Sequence, residues 1–387
     1  MRRLLLVAAV LAGLSRPAAG QDPSGPWRTL HTAHFRIHFR APARAMADRA
    51  AAEAERAYAL LSSELKAPRG TVDLVLADNV DAANGFASVF PSNTVTLFTT
   101  PPVLEPGLEA HDDWLRLVTV HELAHVFHLD RAGGFWGALQ RVFGRGPGLF
   151  PNLYQPSWVS EGLATYYESR FTTSGRVAGS FHTQVLSADA AAGRFRRPWD
   201  AVLFSAWPDG TMPYAYGSRF FAHLADAVGD TVVPAFAAAT SGQLIPWRVG
   251  RPLRRVAGNQ SLEARWAEAA PDSAAPVRQG EGREVVARGL YQSPRPRLSD
   301  DGRRLAYLHD DGRSLRRVMV VDLHTGERRG HRVTQQVSFD WMKDQLLVAQ
   351  LDFTSPYDLR GDLYRWSPGG AWRRLTRGAR VVAVGEG

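Results

Sequence analysis

Apolar and polar positions near the start of the chain follow a pattern typical of β-strands. Three apolar side chains alternate with polar ones across 34–39, and the runs 71–77 and 93–99 are rich in valine, threonine and leucine. Alternation with a period of two, and short β-branched runs between turn residues, both favour strands. Between the first two runs, 42–65 repeats alanine and leucine at helical spacing. The pattern predicts a small mixed sheet in a β-α-β-β unit.

Helical periodicity dominates the next 150 or so residues. The segment 112–129 is apolar on more than one side, which indicates a buried helix, and 157–171 is predicted as a second helix. Between them, 132–156 is rich in glycine, proline and aromatic residues and is predicted as a long loop with at most a short helix. Another helix follows Pro213, and helical segments continue to about residue 270.

The chain changes character after residue 270. The segment 271–284 contains proline, glycine, serine and alanine without periodicity, which is typical of a linker. From 285 to 387, short apolar runs are separated by turn residues, so we predict β-hairpins. The clearest turn dipeptides are Asp301-Gly302, Asp311-Gly312 and Thr325-Gly326. A weaker copy follows at an offset of about 40–45 residues, the length of one propeller blade.

The first twenty residues have the layout of a secretory signal peptide. Two arginines follow Met1, an apolar run extends from Leu4 to Leu14, and small residues precede Gln21. The run is too short to span a bilayer, and no later stretch reaches about 18 apolar residues. We therefore expect an exported protein, periplasmic or secreted, with residues 1–20 removed and no membrane span afterwards.

Composition narrows the chemistry that this chain can perform. It has 387 residues and no cysteine, which excludes disulfides, cysteine-ligated zinc, iron–sulfur clusters and a cysteine nucleophile. Any metal must therefore be held by histidines and carboxylates. The formal net charge of +8 comes from arginines that are scattered along the sequence. Because they form no patch interleaved with aromatic residues, we expect no nucleic-acid partner.

The segment His121-Glu122-Leu-Ala-His125 carries the most specific chemical signal in the sequence. Residues four apart lie on one face of a helix, so both imidazoles can bind one metal ion. Glu122 lies beside the ion, where it can take a proton from a metal-bound water. A buried helix with two incidental histidines is the alternative, but unpaired polar groups in an apolar helix would be costly.

A catalytic zinc also needs a third protein ligand and one open position. Glu161, on the predicted helix 157–171, is the candidate that we favour, because two histidines and a glutamate suit a catalytic zinc. Its neighbour Gly162 would let this helix approach the helix of His121 and His125 closely. His128, Asp130 and Glu168 are the competing candidates.

The H-E-x-x-H segment followed by W-x-x-E-G-x-x-x-Y resembles the gluzincin zinc metallopeptidases, in particular their aminopeptidase-type and peptidase MA-like branch. The resemblance covers residues 27–270, within a predicted domain of 21–270. It implies an α+β, thermolysin-like catalytic domain with the small mixed sheet first and a helical part after it. It also implies one Zn²⁺ per chain held by His121, His125 and Glu161, with Glu122 as general base.

The resemblance further implies a tyrosine that stabilises the oxyanion. In this family that tyrosine stands in a Y-x-K-G context, and Tyr214-Ala-Tyr216-Gly matches it with Tyr216 where lysine is usual. Both tyrosines are therefore candidate catalytic residues, and packing in the core is the alternative for each. A phenol in this position would donate a hydrogen bond to developing negative charge.

Two departures from the family change the expected activity. The gap between His125 and Glu161 is longer than in aminopeptidases, and the G-x-M-E-N sequence that binds a free substrate amine is absent. In its place stand Asn84-Gly85-Phe86-Ala87, which are candidate substrate-binding residues ahead of the predicted strand 93–99, and that strand could bind a peptide by edge addition. These departures favour an endopeptidase over an aminopeptidase.

The C-terminal repeats resemble TolB-like β-propeller blades. The first copy matches the blade pattern well, with an Asp301-Gly302 turn and a Leu305-Ala306-Tyr307 strand. The second copy matches it only in part. Propellers need about four blades to close, so two incomplete blades suggest a truncated form of a longer protein. Such blades usually present loops for partner binding, and an envelope protein is the expected partner.

Together these observations predict an exported zinc-dependent peptidase that acts on peptide or protein substrates. The alternative is a non-catalytic, peptidase-like envelope scaffold or binding protein that acts through its propeller blades.

Overall fold

The computed structural model describes residues 25–385 except 104, 106, 109–110, 204–209, 272–285, 291–294 and 336. The predicted signal peptide and nearly all of the predicted linker lie outside the described residues. Within the described part, no helix is both long enough and apolar enough to cross a bilayer.

A five-stranded mixed sheet opens the described chain. Its strands are β1 (Trp27–His31), β2 (Phe35–Arg40), β3 (Val72–Ala77), β4 (Gly85–Ser88) and β5 (Thr94–Phe98). The spatial order is β1-β2-β3-β5-β4, with β2–β3 and β3–β5 parallel and the other pairs antiparallel. Helix α1 (Arg44–Ser62) connects β2 to β3. The predicted mixed sheet is confirmed, and β4 forms one of its edges.

Two strands of this sheet were not predicted. β1 is mostly exposed and shows no apolar alternation, because it lies at the edge opposite β4. β4 has four residues, none of them fully buried, so it lacks a hydrophobic signal as well. Both strands exist because a neighbouring strand supplies their hydrogen-bond partners.

Helices cover the remainder of this part of the chain. They are α2 (Trp114–Leu129), α3 (Gly134–Phe143), α4 (Ser157–Phe171), α5 (Ser180–Ala191), α6 (Met212–Val228), α7 (Val232–Ser241), α8 (Gly250–Ala257) and α9 (Leu262–Glu268). α2 is buried on all sides, as predicted, and the Asp113 side chain caps it by accepting from the Arg116 backbone N–H. The segment 132–156 contains α3 and a 3₁₀ turn at Pro151–Tyr154. α5 was not predicted.

The C-terminal part forms two four-stranded antiparallel sheets, each with its strands in chain order. The first contains β6 (Arg297–Leu298), β7 (Arg304–His309), β8 (Arg317–Asp322) and β9 (Arg328–Arg332); the second contains β10 (Ser338–Met342), β11 (Gln345–Phe353), β12 (Leu359–Trp366) and β13 (Trp372–Arg374). The glycines of the three predicted turns have positive φ angles, which are 70° at Gly302, 68° at Gly312 and 75° at Gly326. The described residues contain no closed ring of sheets, so the propeller assignment stays a prediction.

The second C-terminal sheet docks on the loop between β3 and β4. Val80 forms a parallel bridge with Leu359 on β12. The buried carboxylate of Asp81 accepts from the Arg360 guanidinium at 3.0 Å, the Gly361 backbone N–H at 3.1 Å and Arg380 at 2.8 Å. The loop held in this way leads directly into β4.

Candidate functional site

Helices α2 and α4 bring three metal-ligating side chains to one point. The Nε2 atoms of His121 and His125 are 3.2 Å apart, and Oε2 of Glu161 lies 3.7 Å from the first and 3.2 Å from the second. Ligands at 2.0–2.1 Å from a tetrahedral zinc ion are separated by about 3.3 Å, which these distances match. The donor set, two imidazoles and a carboxylate, therefore fits a zinc ion.

The electrostatics of this cluster favour a positive charge at its centre. Burial and the nearby Arg176 cation both lower the pKa of His121, but hydrogen bonds to Glu161 and Glu168 outweigh them and raise it to about 9. Burial alone would raise the pKa of Glu161, yet the adjacent His125 and His121 hold it well below its usual range. A carboxylate facing two imidazoles in a buried site is stabilised by a cation placed between them.

A further set of residues orients the two imidazoles. Nδ1 of His121 lies 3.1 Å from Oε2 of Glu168, and Nδ1 of His125 lies 3.2 Å from the Ser160 hydroxyl. Partners on Nδ1 turn Nε2 towards the centre of the site. Glu168, a competing candidate ligand in the sequence analysis, therefore contacts His121 on the side away from the predicted metal position. It lies two turns along α4 from Glu161.

Arg176 holds Glu168 in place. Its Nη2 donates to Oε2 of Glu168 at 2.7 Å, its backbone N–H donates to Oε1 at 2.9 Å, and Nη2 also lies 2.9 Å from Nδ1 of His121. Burial raises the pKa of Glu168, but the arginine charge and the hydrogen bonds lower it to about 2. Sequence reasoning missed Arg176, because nothing in the sequence links it to the histidine motif.

The other two candidate ligands face away from the cluster. Nε2 of His128 lies 3.1 Å from the Gln155 side-chain oxygen. Asp130 forms ion pairs with Arg69, at 2.9 Å, and with Arg145. Burial and the neighbouring His125 lower the pKa of His128 to about 3, so this histidine is neutral in the fold.

Glu122 lies beside the cluster and faces open space. Its carboxylate accepts no hydrogen bond from any residue that the structure describes, although the side chain is buried. Burial raises the pKa of Glu122 above its usual range, even though the two histidines oppose the shift. A Cβ on Gly85 would lie 2.7 Å from Cγ and from Oε1 of Glu122, so only glycine allows β4 to approach this side chain.

A cleft of about 440 Å³ opens at this point. One wall is formed by Asn84 and by Gly85, Phe86 and Ala87 of β4, and it borders His121, Glu122, His125 and Glu161. The structure therefore brings all four candidate substrate-binding residues to the cluster. No described residue of 132–156 lines the cleft.

The two tyrosine candidates point in different directions. The Tyr214 ring lines the cleft, with its centroid 6.1 Å from that of His121 and 4.7 Å from the Arg176 guanidinium carbon. The Tyr216 hydroxyl instead donates to Asp189 at 2.7 Å and accepts from the Arg196 backbone N–H at 3.3 Å. Tyr216 is therefore corrected to a core residue, because positions two apart on a helix face opposite sides.

Comparisons with known proteins give distant structural likenesses. No family model and no curated protein matches the chain. Among solved structures, it is similar to yeast LTA4 hydrolase, with 16% identity and a TM-score of 0.40 over 65% of this chain and 40% of that one. An M1 zinc metallopeptidase from Deinococcus radiodurans gives 16% identity and a TM-score of 0.36, over 65% of this chain and 53% of that one.

Aminopeptidase A from Legionella pneumophila gives 12% identity and a TM-score of 0.40, over 94% of this chain and 39% of that one. The chain thus spans 39% to 53% of the length of these three proteins. Structural similarities with TM-scores below 0.5 do not indicate a function for this chain.

Proposed function

We propose that the protein is a zinc-dependent peptidase in which His121, His125 and Glu161 hold one zinc ion. The observation that carries the proposal is the spacing of the three ligand atoms, all within 4.8 Å of one another, next to the Glu122 carboxylate, which faces a cleft and accepts no hydrogen bond from a described residue. A structural zinc site would be closed by a fourth protein ligand, whereas a catalytic one keeps a position open.

The chain's own residues supply the acid–base and electrostatic steps. A zinc ion bound there would polarise a carbonyl and lower the pKa of a bound water. Glu122 would take a proton from the attacking water and deliver it to the leaving amine, and burial raises its pKa in the direction that favours this acid–base role. Tyr214 donates a hydrogen bond to the oxygen on which negative charge develops. Its pKa is raised by burial and by Glu161, which keeps the phenol protonated.

The free edge of β4 supports an extended peptide as the substrate. The strand predicted at 93–99 is β5, which lies between β3 and β4 and has no free edge. Among the described strands β4 pairs with β5 alone, so the other edge of β4 can add a peptide strand. The segment 84–88 contains no acidic residue that could bind a free amino terminus. We therefore propose cleavage within peptides, and action on peptide or protein substrates after export to the periplasm or medium.

Glu122→Gln tests this proposal most sharply. The amide keeps the shape of the side chain but cannot take a proton, so we expect turnover of a cleaved library peptide to fall about 10²- to 10⁴-fold. The zinc content should not change. Glu263→Gln, an exposed position on α9, is the matched control and should cleave at the wild-type rate.

Wild-type activity in Glu122→Gln would exclude the general-base role. Absence of cleavage by the zinc-loaded wild-type protein across a peptide library would instead favour the non-catalytic scaffold.

A further inference from the structure

Helix α3 turns its apolar face towards solvent. Phe135, Val142 and Phe143 lie on one stripe of the helix and are 51%, 75% and 69% exposed. The buried residue of α3 is Gln140, whose side-chain amide donates to the Leu149 carbonyl at 2.7 Å. A helix that packs on a protein core shows the opposite arrangement, with apolar residues inside and polar ones outside.

The exposed apolar stripe continues onto the loop after α7. The Trp136 indole N–H donates to the carbonyls of Gln243 and Leu244, at 3.1 and 3.3 Å, and so fixes that loop against α3. Leu244 and Trp247 on this loop are 63% and 54% exposed. We call Phe135, Val142, Phe143, Leu244 and Trp247 the apolar surface. Monomeric proteins rarely expose large aromatic and aliphatic side chains together in this way unless they bind something there.

The two chain segments that carry the apolar surface are basic. The segments 131–160 and 231–262, which contain all of its residues, have no aspartate or glutamate. They contain arginines at positions 131, 141, 145, 248, 251, 254 and 255. Within these two segments the arginines are thus accompanied by no acidic residue, although arginines look scattered along the whole sequence.

A cavity of about 250 Å³ adjoins the polar side of α3. Lys66, Arg131 and Arg141 line it, together with Gln140. Its acidic residue, Asp130, already forms ion pairs with Arg69 and Arg145. The cavity is thus suited to an anionic group of the size of a phosphate headgroup.

We propose that this surface binds the face of an anionic lipid bilayer. α3, about 15 Å long, lies in the plane of the interface with its apolar stripe at the level of the acyl chains. Tryptophan and phenylalanine are favoured at that depth, and arginine and lysine beside them bind lipid phosphates. The proposal does not depend on peptidase activity, because the surface lies outside the cleft.

Vesicle flotation of the full chain tests the proposal. We expect the protein to float with vesicles of phosphatidylcholine and phosphatidylglycerol, and at least tenfold less with phosphatidylcholine alone. The double variant Phe143→Ser/Trp247→Ser should lose flotation, and Arg141→Glu/Arg248→Glu should weaken it by about tenfold. Phe353→Ser is the matched control, since Phe353 is as exposed as Phe143 but lies on β11, and it should float like the wild type.

Three results would overturn the proposal. The first is the absence of flotation with anionic vesicles, and the second is equal flotation of wild type and Phe143→Ser/Trp247→Ser. The third is a lipid-independent dimer, detected by light scattering, that Phe143→Ser/Trp247→Ser dissociates, because the surface would then be covered by a second copy of the chain. Binding of inorganic phosphate without flotation on vesicles would also overturn the proposal. It would show that the basic cavity binds small anions and not a lipid bilayer.

Discussion

Gly162 on α4 and Gly217 on α6 pack backbone against backbone. A Cβ on Gly162 would lie 2.5 Å from Cα of Gly217, and a Cβ on Gly217 would lie 2.8 Å from Cα of Gly162. The close approach that the sequence assigned to Gly162 is thus made with α6 and not with the histidine helix. It holds Glu161, one residue away on α4, next to Tyr214, one turn away on α6.

Gly162→Ala is therefore expected to destabilise the protein by about 3 kcal/mol or more, at the upper end of overpacking costs, because backbone atoms cannot move aside as a side chain can. Thermal unfolding measures the loss, and the variant should bind zinc more weakly because Glu161 shifts. Gly250→Ala is the control: its Cβ would meet nothing closer than 3.7 Å, so stability should be unchanged or slightly higher. Equal melting temperatures for Gly162→Ala and wild type would show that the two helices can separate freely.

The two tyrosines on α6 should separate catalysis from stability. Tyr214→Phe removes a donor that faces the cleft, so kcat should fall by about 10²-fold or more with little change in unfolding free energy. Tyr216→Phe removes one donor to the half-buried carboxylate of Asp189, whose Oδ2 also lies 3.5 Å from Nε of Arg196, so it should cost about 1 kcal/mol and kcat should be retained. Peptide turnover and denaturant unfolding of both variants decide this. The reverse pattern would assign the catalytic hydroxyl to Tyr216.

Acid should destabilise the fold through His128. The pKa of this histidine falls from its ordinary value of 6.5 to about 3 because of burial, with His125 adding to the effect. Between these two pH values the unfolded chain binds a proton that the folded chain does not. Stability therefore falls as the pH drops through this window, by up to about 1.4 kcal/mol per pH unit for one group.

Denaturant unfolding at several pH values, with a chelator present so that metal loss does not contribute, measures this slope. His128→Gln should show a shallower slope between pH 6.5 and 4, and the exposed His324→Gln should follow the wild type. His182, whose pKa is lowered to about 3 by burial, should leave a residual slope in His128→Gln. If the unfolding free energy of the wild type, His128→Gln and His324→Gln fell with the same slope against pH, His128 would be protonated in the fold.

The carboxylate of Asp81 should couple the C-terminal sheet to the cleft. Asp81→Ala leaves the Gly361 N–H without its acceptor and removes one acceptor of Arg360, which keeps the Asp78 carbonyl at 2.7 Å, so we expect a loss of about 1–3 kcal/mol. Hydrogen exchange should rise at 359–361, and also at 85–88, because the same loop leads into β4. Asp226→Asn, an exposed aspartate on α6, should leave both segments protected as in the wild type. Faster exchange at 359–361 alone would show that β4 is held independently of the C-terminal sheet.

The parts of the site that lie within one helix could be predicted from the sequence. His121 and His125 share a face of α2 whatever surrounds it, and Glu161 lies on a helix whose bounds the sequence predicted. Tyr216 was misassigned because its direction depends on how α6 packs, which a local motif does not specify.

Features that depend on long-range packing could not be predicted. Arg176 reaches His121 across 55 residues of chain, and Asp81 meets Arg360 across 279. β4 becomes a strand only because β5 pairs with it. Contacts of this kind depend on tertiary structure, whereas sequence periodicity reports only which face of an element is buried.

Zinc content is the most direct test of the central claim. Elemental mass spectrometry of the purified protein should find about one zinc per chain. His121→Ala should lose it, and His128→Gln, on the same helix but turned towards Gln155, should keep it. No zinc in the wild type after zinc is supplied, or an undiminished zinc content in His121→Ala, would contradict the assignment of His121, His125 and Glu161 as the metal site.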